Sequence, residues 1–449
     1  MVAGTVSRER ITRMYDMIGW AKDLFPIPRS LTGDGVRETF RYLQNINSEI
    51  TTQAFPTGTQ VFDWKIPREW KINAAWIEHV QTGQRFAQFS ECNLHVLGYS
   101  LPIDTEMDRA ELLPHIYTQP DQPDLIPYVT SYYKDRWGFC MAQNAKDALP
   151  EGAYRVYIDS DLFDGELLVG DALVQGETDR ELMFSSYICH PSMANNELSG
   201  PVLLSALLKF VKDHFPQPKF SYRFILVPET IGSLAYMSRN LKQMQQRIEC
   251  GFNLSCVGDE RGFSHVQSRY ADTIADVALK SALIGKDNVK TYSFLQRGSD
   301  ERQYGAPGIA LPICGFCRSK YGEYPEYHTD ADNFDVVTQK GLEGSFEVIT
   351  TIIKAFEIGL YPTTAVKGEP QLGKRGLYPT ISKKGSYSAI RARMDVLAYA
   401  DGSNSLFDIA NYISVPLEIV LDEAELMLEH GLITVSDTAT DRHPRGTGC

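Results

Sequence analysis

Between Glu181 and Leu360 the sequence alternates short, almost wholly apolar runs with segments that repeat apolar residues at helical spacing. ELMFSSYIC, YRFILVPE, GFNLSC and IALPICGF are four such runs. Each is too short for an ordinary helix and too uniformly apolar for a strand with one wet face. A strand buried on both faces is therefore expected at each. Between them Leu203, Ala206, Leu207 and Phe210 recur at helical spacing, and helices are expected over 232–246, 271–283 and 342–360. Such alternation requires a largely parallel sheet sandwiched by helices. The expected class is α/β.

The rest of the 449-residue chain is more than this sheet needs, so further domains are expected. Residues 11–50 read as helical, broken by the turn Pro26–Gly35. From about Phe55 the pattern changes to short alternating strands dense in Pro and aromatic residues. The expected organisation is an α/β domain of residues 1–54 and 171–365, with a β-rich domain of 55–170 inserted into it. After a Pro- and Gly-containing linker, three short helices and a strand over 380–437 have the outline of a winged helix. Between Ser403 and Val435 there are six acidic residues and no Lys or Arg, a charge that opposes docking on phosphate. The net charge of −13 argues the same way. No run approaches the roughly 20 apolar residues that span a bilayer, and the N-terminus shows no apolar signal core. The expected setting is the cytoplasm, with neither nucleic acid nor membrane as partner, and with homo-oligomers formed through the winged helix or the α/β domain. Cys314 and Cys317 form a lone C-x-x-C, expected as two buried thiols.

In open parallel sheets, ligands bind beyond the C-terminal strand ends. His190 follows the first strand, Glu229 the second and Asp259 the third. His328 lies in Tyr-His-Thr-Asp-Ala-Asp, before the closing helix. Each has an ordinary structural role open to it: a loop hydrogen bond for either His, a helix cap for Glu229, a turn for Asp259. Their convergence on one sheet edge instead suits a metal site with a carboxylate base. Arg302 and Arg318 could hold a substrate anion or pair internally with Glu301, Glu323 or Glu326. Trp64, Trp70, Tyr132, Tyr133 and Trp137 could form a lid over the site or the core of the inserted domain.

The order H…N-x-L-S-G, a strand ending P-E-x-x-G-S, then S-D-E-R and a late H-T-x-x-D resembles the zinc aminopeptidase and glutaminyl cyclase clan. More narrowly, D-W-x-I-P-x-E-W, S-Y-Y-K-D-R-W-G-F-C and R-G-S-D-E-R-Q-Y resemble bacterial aminopeptidase-like proteins with an inserted β-domain and a C-terminal winged helix. Such proteins are often associated with polysaccharide biosynthesis. The resemblance implies a metal-dependent hydrolase of an amide bond in a peptide or an N-acyl conjugate, with a small-molecule or peptide substrate as partner and Glu229 as general base. Asn196, Thr230 and Ser255 stand where the clan has further carboxylate ligands. It therefore implies one zinc ion rather than two, with iron as the alternative. His190 and His328 would hold it, with Glu197 as first and Asp259 as second choice of carboxylate. Arg302, Arg318, Tyr327 and Asn196 are the candidate substrate contacts. The alternatives are an inert binding or scaffold protein that has lost the metal cluster, and an amide-forming acyltransferase or cyclase using the same site.

Overall fold

The computed structural model describes residues 15–378 and 390–440. Two helices open it, α1 (Met17–Leu24) and α2 (Asp34–Ile46), followed by strand β1 (Thr51–Pro56). Next come β2 (Glu69–His79), β3 (Arg85–Phe86), β4 (Ile103–Asp108) and β5 (Ala153–Phe163), which form an antiparallel sheet in the order β3-β2-β5-β4. Strand β6 (Glu166–Val174) leads back into the main body.

There the expected alternation runs β7 (Glu181–Tyr187), α3 (Ser199–His214), β8 (Ser221–Val227), α4 (Ile231–Arg247) and β9 (Ile248–Leu254). It continues through β10 (Phe263–Val266), α5 (Ile274–Ala282), β11 (Val289–Tyr292), β12 (Ile313–Cys317) and α6 (Gln339–Ile358). These build an eight-stranded sheet in the order β1-β6-β8-β7-β9-β12-β10-β11. Its centre, β8-β7-β9-β12, is parallel throughout. The apolar run ELMFSSYIC becomes β7, in which every residue is buried. Alternate side chains feed two cores: Leu182 and Phe184 pack on the face of α3, α5 and α6, while Met183 packs on the face of α4. The core on the α4 side also takes in Ile77, Tyr154, Val156 and Ile158 of the inserted sheet, so the insertion is anchored on that face.

Sequence pattern did not reveal β10 and β11, or that β1 and β6 pair antiparallel at the sheet edge. The segment that leaves the main sheet therefore begins after Pro56 and ends before Glu166. Cys314 and Cys317 are buried free thiols.

The chain ends in β13 (Tyr361–Thr364), α7 (Arg391–Tyr399), α8 (Leu406–Ile413), α9 (Leu417–Glu429) and β14 (Ile433–Ser436), with β13 antiparallel to β14. The start expected at residue 380 lies outside the described residues. This winged helix shares the main core, with Phe407 against Phe356 at 5.4 Å between ring centroids. Among the described residues no helix is long and apolar enough to cross a membrane.

Candidate active site at the strand ends

Because the central strands are parallel, the loops after β7 and β8 emerge at one edge and place His190 and Glu229 side by side. Glu229 Oε2 lies 3.7 Å from His190 Nε2. The loops lock to each other, as the Glu229 N–H donates to Cys189 Sγ at 3.2 Å. Thr230, with φ 65° and ψ −72°, turns the chain between β8 and α4, and the Ile231 N–H donates to the Glu229 carbonyl at 2.8 Å. That is the rarer, strained form of γ-turn. A β-branched residue held at positive φ costs about 1–3 kcal/mol, and such strain gathers at functional sites.

His328 also has positive φ, 58°. Its ring stacks on Tyr327 at 3.8 Å between centroids, lies 5.5 Å from the His190 ring, and meets Tyr128 edge-on at 5.1 Å. The inserted segment pins it there, since the Tyr128 N–H donates to the His328 carbonyl at 2.8 Å. His328 Nε2 is buried without a hydrogen-bond partner. Such an atom calls for an explanation, because buried polar groups are nearly always satisfied. Burial pushes both imidazoles down to a pKa of about 3, helped by Arg29 at His190 and by His190 at His328. Both are neutral at physiological pH, the form that ligates metals.

Behind His190, Nδ1 lies 2.8 Å from Glu197 Oε2. The Arg29 Nε donates to the His190 carbonyl at 3.1 Å, and its Nη1 to the Leu24 carbonyl at 2.6 Å. Burial raises the Glu197 carboxyl well above the usual range, with Arg29 opposing. Burial raises Glu229 too, reinforced by the Asp300 charge and opposed by Arg302. The donor atoms of Cys189, His190 and Glu197 lie within 4.8 Å of one another, close enough to share an ion.

In front is a cavity of about 360 Å³ walled by Cys189, His190, Glu229, Arg302 and His328 on the α/β side. From the inserted segment come Trp64, Tyr128, Tyr132 and Tyr133. The aromatic residues of the insertion are thus divided between two jobs. Trp70 is buried with its indole N–H on the Ser100 carbonyl, and Trp137 stacks on His115.

The edge does not gather every residue that the sequence suggested. Asp259 is no metal ligand here. Its Oδ1 accepts from the Arg261 N–H and Ser319 Oγ, and its Oδ2 from Asn195 Nδ2 and the Ser319 N–H. All its acceptor capacity goes to bracing two loops. Arg318 is turned away. It lies against the Phe263 ring at 3.9 Å, donates to the Gly262 and Gly341 carbonyls, and borders a different cavity. Asn196 and Tyr327 are also absent from the cavity wall: Asn196 Nδ2 donates to Tyr187 Oη at 2.7 Å, and Tyr327 supports His328. Glu197 meets His190 at Nδ1, not Nε2, within the group it forms with Cys189 whose donor atoms could share an ion, and its Oε1 is buried without a partner. Arg302 does line the cavity.

Sequence reasoning passed over Arg29, Tyr128 and Cys189, and met Asp332 only as the last residue of the late H-T-x-x-D motif. Asp332 accepts from the Asn195 and Asn196 N–H groups and from Tyr324 Oη, tying the His328 loop to the His190 loop. Only Asp332 left a trace in the sequence, through its spacing from His328.

A family described as a domain of unknown function, DUF4910, matches residues 18–359. The chain belongs to this family. A winged helix-turn-helix family matches residues 360–435. A curated relative from Clostridium acetobutylicum is 39% identical over 407 residues, covering 90% of this chain and 92% of its own length. Its name proposes a role in polysaccharide biosynthesis and an aminopeptidase-like domain. A crystal structure from the same organism, offered there as a peptidase, matches with TM-score 0.87 and 35% identity over 95% of this chain and 98% of that one. The zinc aminopeptidase BSAP from Bacillus subtilis matches at 12% identity and TM-score 0.55, over 78% of this chain and 95% of its own. That likeness fixes the fold: this DUF4910 chain has the zinc-aminopeptidase architecture, with a winged helix added.

Proposed function

We propose that the protein is a metal-dependent hydrolase of an amide bond, acting on a peptide or an N-acyl conjugate. The observation that carries this reading is a pair of buried neutral imidazoles facing one cavity, one with an unpartnered Nε2, beside the Glu229 carboxyl. The donor set fits a cation held by His190 and His328. Glu197 would accept from His190 Nδ1–H and leave Nε2 free, the support usual behind metal-binding histidines. A cation there would polarise a carbonyl and acidify water. Two protein ligands are fewer than the three of most catalytic zinc sites, so the ion is expected to bind weakly and to be lost on dialysis.

Glu229 carries the proton. Its raised pKa suits a group that takes a proton from water and returns it. The water oxygen bonds to the amide carbon, the C–N bond breaks, and the proton held on Glu229 passes to the departing nitrogen. No second ion is expected. Asn196 and Ser255 are neutral and turned to internal contacts, and Thr230 Oγ1 accepts from Arg302. Those same positions favour the second reading, an inert binding protein. The aminopeptidase-like relative named for polysaccharide biosynthesis makes N-acyl amino-sugar conjugates a natural first screen.

The test is metal content and turnover together. Protein incubated with zinc and briefly desalted is expected to retain about one ion, the number a single catalytic site takes. His190→Ala and His328→Ala should each retain none. Glu229→Gln should keep the ion and lose amide cleavage by about 10²–10⁴-fold. Unchanged metal content in both His variants would remove the metal reading. Absence of both metal and turnover would leave the binding protein.

A further inference from the structure

The cavity wall holds one carboxylate, Glu229, and one guanidinium, Arg302. Arg302 Nη2 donates to Thr230 Oγ1, its Nε is buried with no partner, and among the described residues no carboxylate forms an ion pair with it. Of the acids beside it in sequence, Glu301 is occupied elsewhere, while Asp300 uses one oxygen and keeps Oδ2 buried without a hydrogen-bond partner. Asp300 Oδ1 accepts from the Thr230 N–H and Ser233 Oγ, each at 2.8 Å. Glu301 accepts from the Gly298 and Ser299 N–H groups, Asn253 Nδ2 and Tyr321 Oη. A guanidinium on the wall of a partly enclosed cavity, with no ion pair of its own among the described residues, suits an anion, and a carboxylate matches its fork.

Free amines fare differently. An ammonium group needs a carboxylate of its own, and Glu229 is committed to moving the proton. A substrate with a free terminal amine would either stay unpaired in the cavity or occupy the base. Trp64, Tyr128, Tyr132 and Tyr133 offer ring faces and hydroxyls, which suit an apolar or sugar-ring body without charge. The volume of about 360 Å³ is near the lower end of ligand pockets, room for a small conjugate.

We infer that the substrate is a small N-acylated acid: its amine is blocked as the amide to be cut, and its carboxylate sits on Arg302. The inference rests on the hydrolase reading for the bond cleaved, but the anion preference can be read from binding alone.

The probes are N-acetyl-phenylalanine, its carboxamide, and phenylalaninamide with a free amine. Calorimetric titration into zinc-loaded Glu229→Gln protein separates binding from turnover. The acid is expected to bind at least about 10-fold more tightly than its carboxamide, as a charge-assisted pair worth about 1.5–3 kcal/mol would give. The free amine should bind weakest. Adding Arg302→Gln should erase the acid preference, and Arg302→Lys should restore part of it. Acid preference without cleavage in the unmutated protein would keep this inference and remove the hydrolase reading. Cleavage with the free amine preferred would do the reverse. Equal binding of the three probes, no binding of any, or an acid preference that survives Arg302→Gln would overturn the assignment.

Discussion

His190 can present Nε2 to the cavity as a ligand only while its other nitrogen keeps the proton, and Glu197 and Arg29 set that choice. Glu197 Oε2 lies 2.8 Å from His190 Nδ1, and Arg29 brings a compensating charge into a site too buried to hold a bare carboxylate easily. Glu197→Ala is expected to weaken zinc binding by about 10–100-fold, the usual cost of losing such support. Glu197→Gln, which keeps an acceptor oxygen, should lose much less; equal loss in both would mean the charge matters and the tautomer does not. A second buried group behaves as pure structure. Burial alone would raise the Asp276 carboxyl, but hydrogen bonds from His265, Ser268 and Thr273 outweigh it and lower its pKa from 3.8. Between the folded value and 3.8 the unfolded chain binds the extra proton, so stability rises with pH there. Its contribution is complete above the unfolded value and disappears as pH falls through the folded one. Asp276→Asn should cost about 1–3 kcal/mol at neutral pH by urea titration and flatten stability below pH 4. An unchanged acid limb would assign acid unfolding to other carboxylates.

The helix α3 begins against the strands that carry the site, and Gly200 is what lets it approach. A Cβ there would lie 2.1 Å from Ser186 Oγ and 2.6 Å from the Leu254 carbonyl oxygen. Gly200→Ala is expected to destabilise by about 1–3 kcal/mol, the usual cost of overpacking. It should also loosen the His190 loop, seen as weaker zinc retention; a neutral denaturation midpoint would show that the backbone yields cheaply. The central strands were legible because burial on both faces leaves a continuous apolar run, as in β7 and β8. Strands β10 and β11 were not, being four residues each with no such run. His190 and Glu229 were legible because strand ends of a parallel sheet share one edge, and His328 through the late H-T-x-x-D motif. Asp259 and Arg318 look equally well placed in sequence, yet nearby N–H groups claim one and carbonyls the other. Chain order gives a residue's position along an edge; which way its side chain turns depends on loops from elsewhere.

The winged helix is bound into the molecule as a structural layer. Phe407 packs on Phe356, Asn411 Nδ2 donates to the Val277 carbonyl at 3.0 Å, and Arg180 Nη1 donates to the Asp437 carbonyl at 2.8 Å. The core it completes runs without a break from Leu182 through Phe356 to Leu421. Its helix α9 carries Glu418, Asp422, Glu423, Glu425 and Glu429 and no basic residue. The packing argues that this unit stabilises the α/β domain. Removing everything after Gly359 would uncover Phe356, Ile352 and Ile353, which are fully buried. Exposing three such side chains costs about 1.5–3 kcal/mol each. The truncated chain is therefore expected to lose at least about 4.5 kcal/mol of stability, or to aggregate, before any effect on the cavity can be read. Denaturant titration of the two lengths decides it. A truncated protein with an unchanged midpoint would show that the α/β domain is complete alone, and would free the winged helix for a partner-binding role.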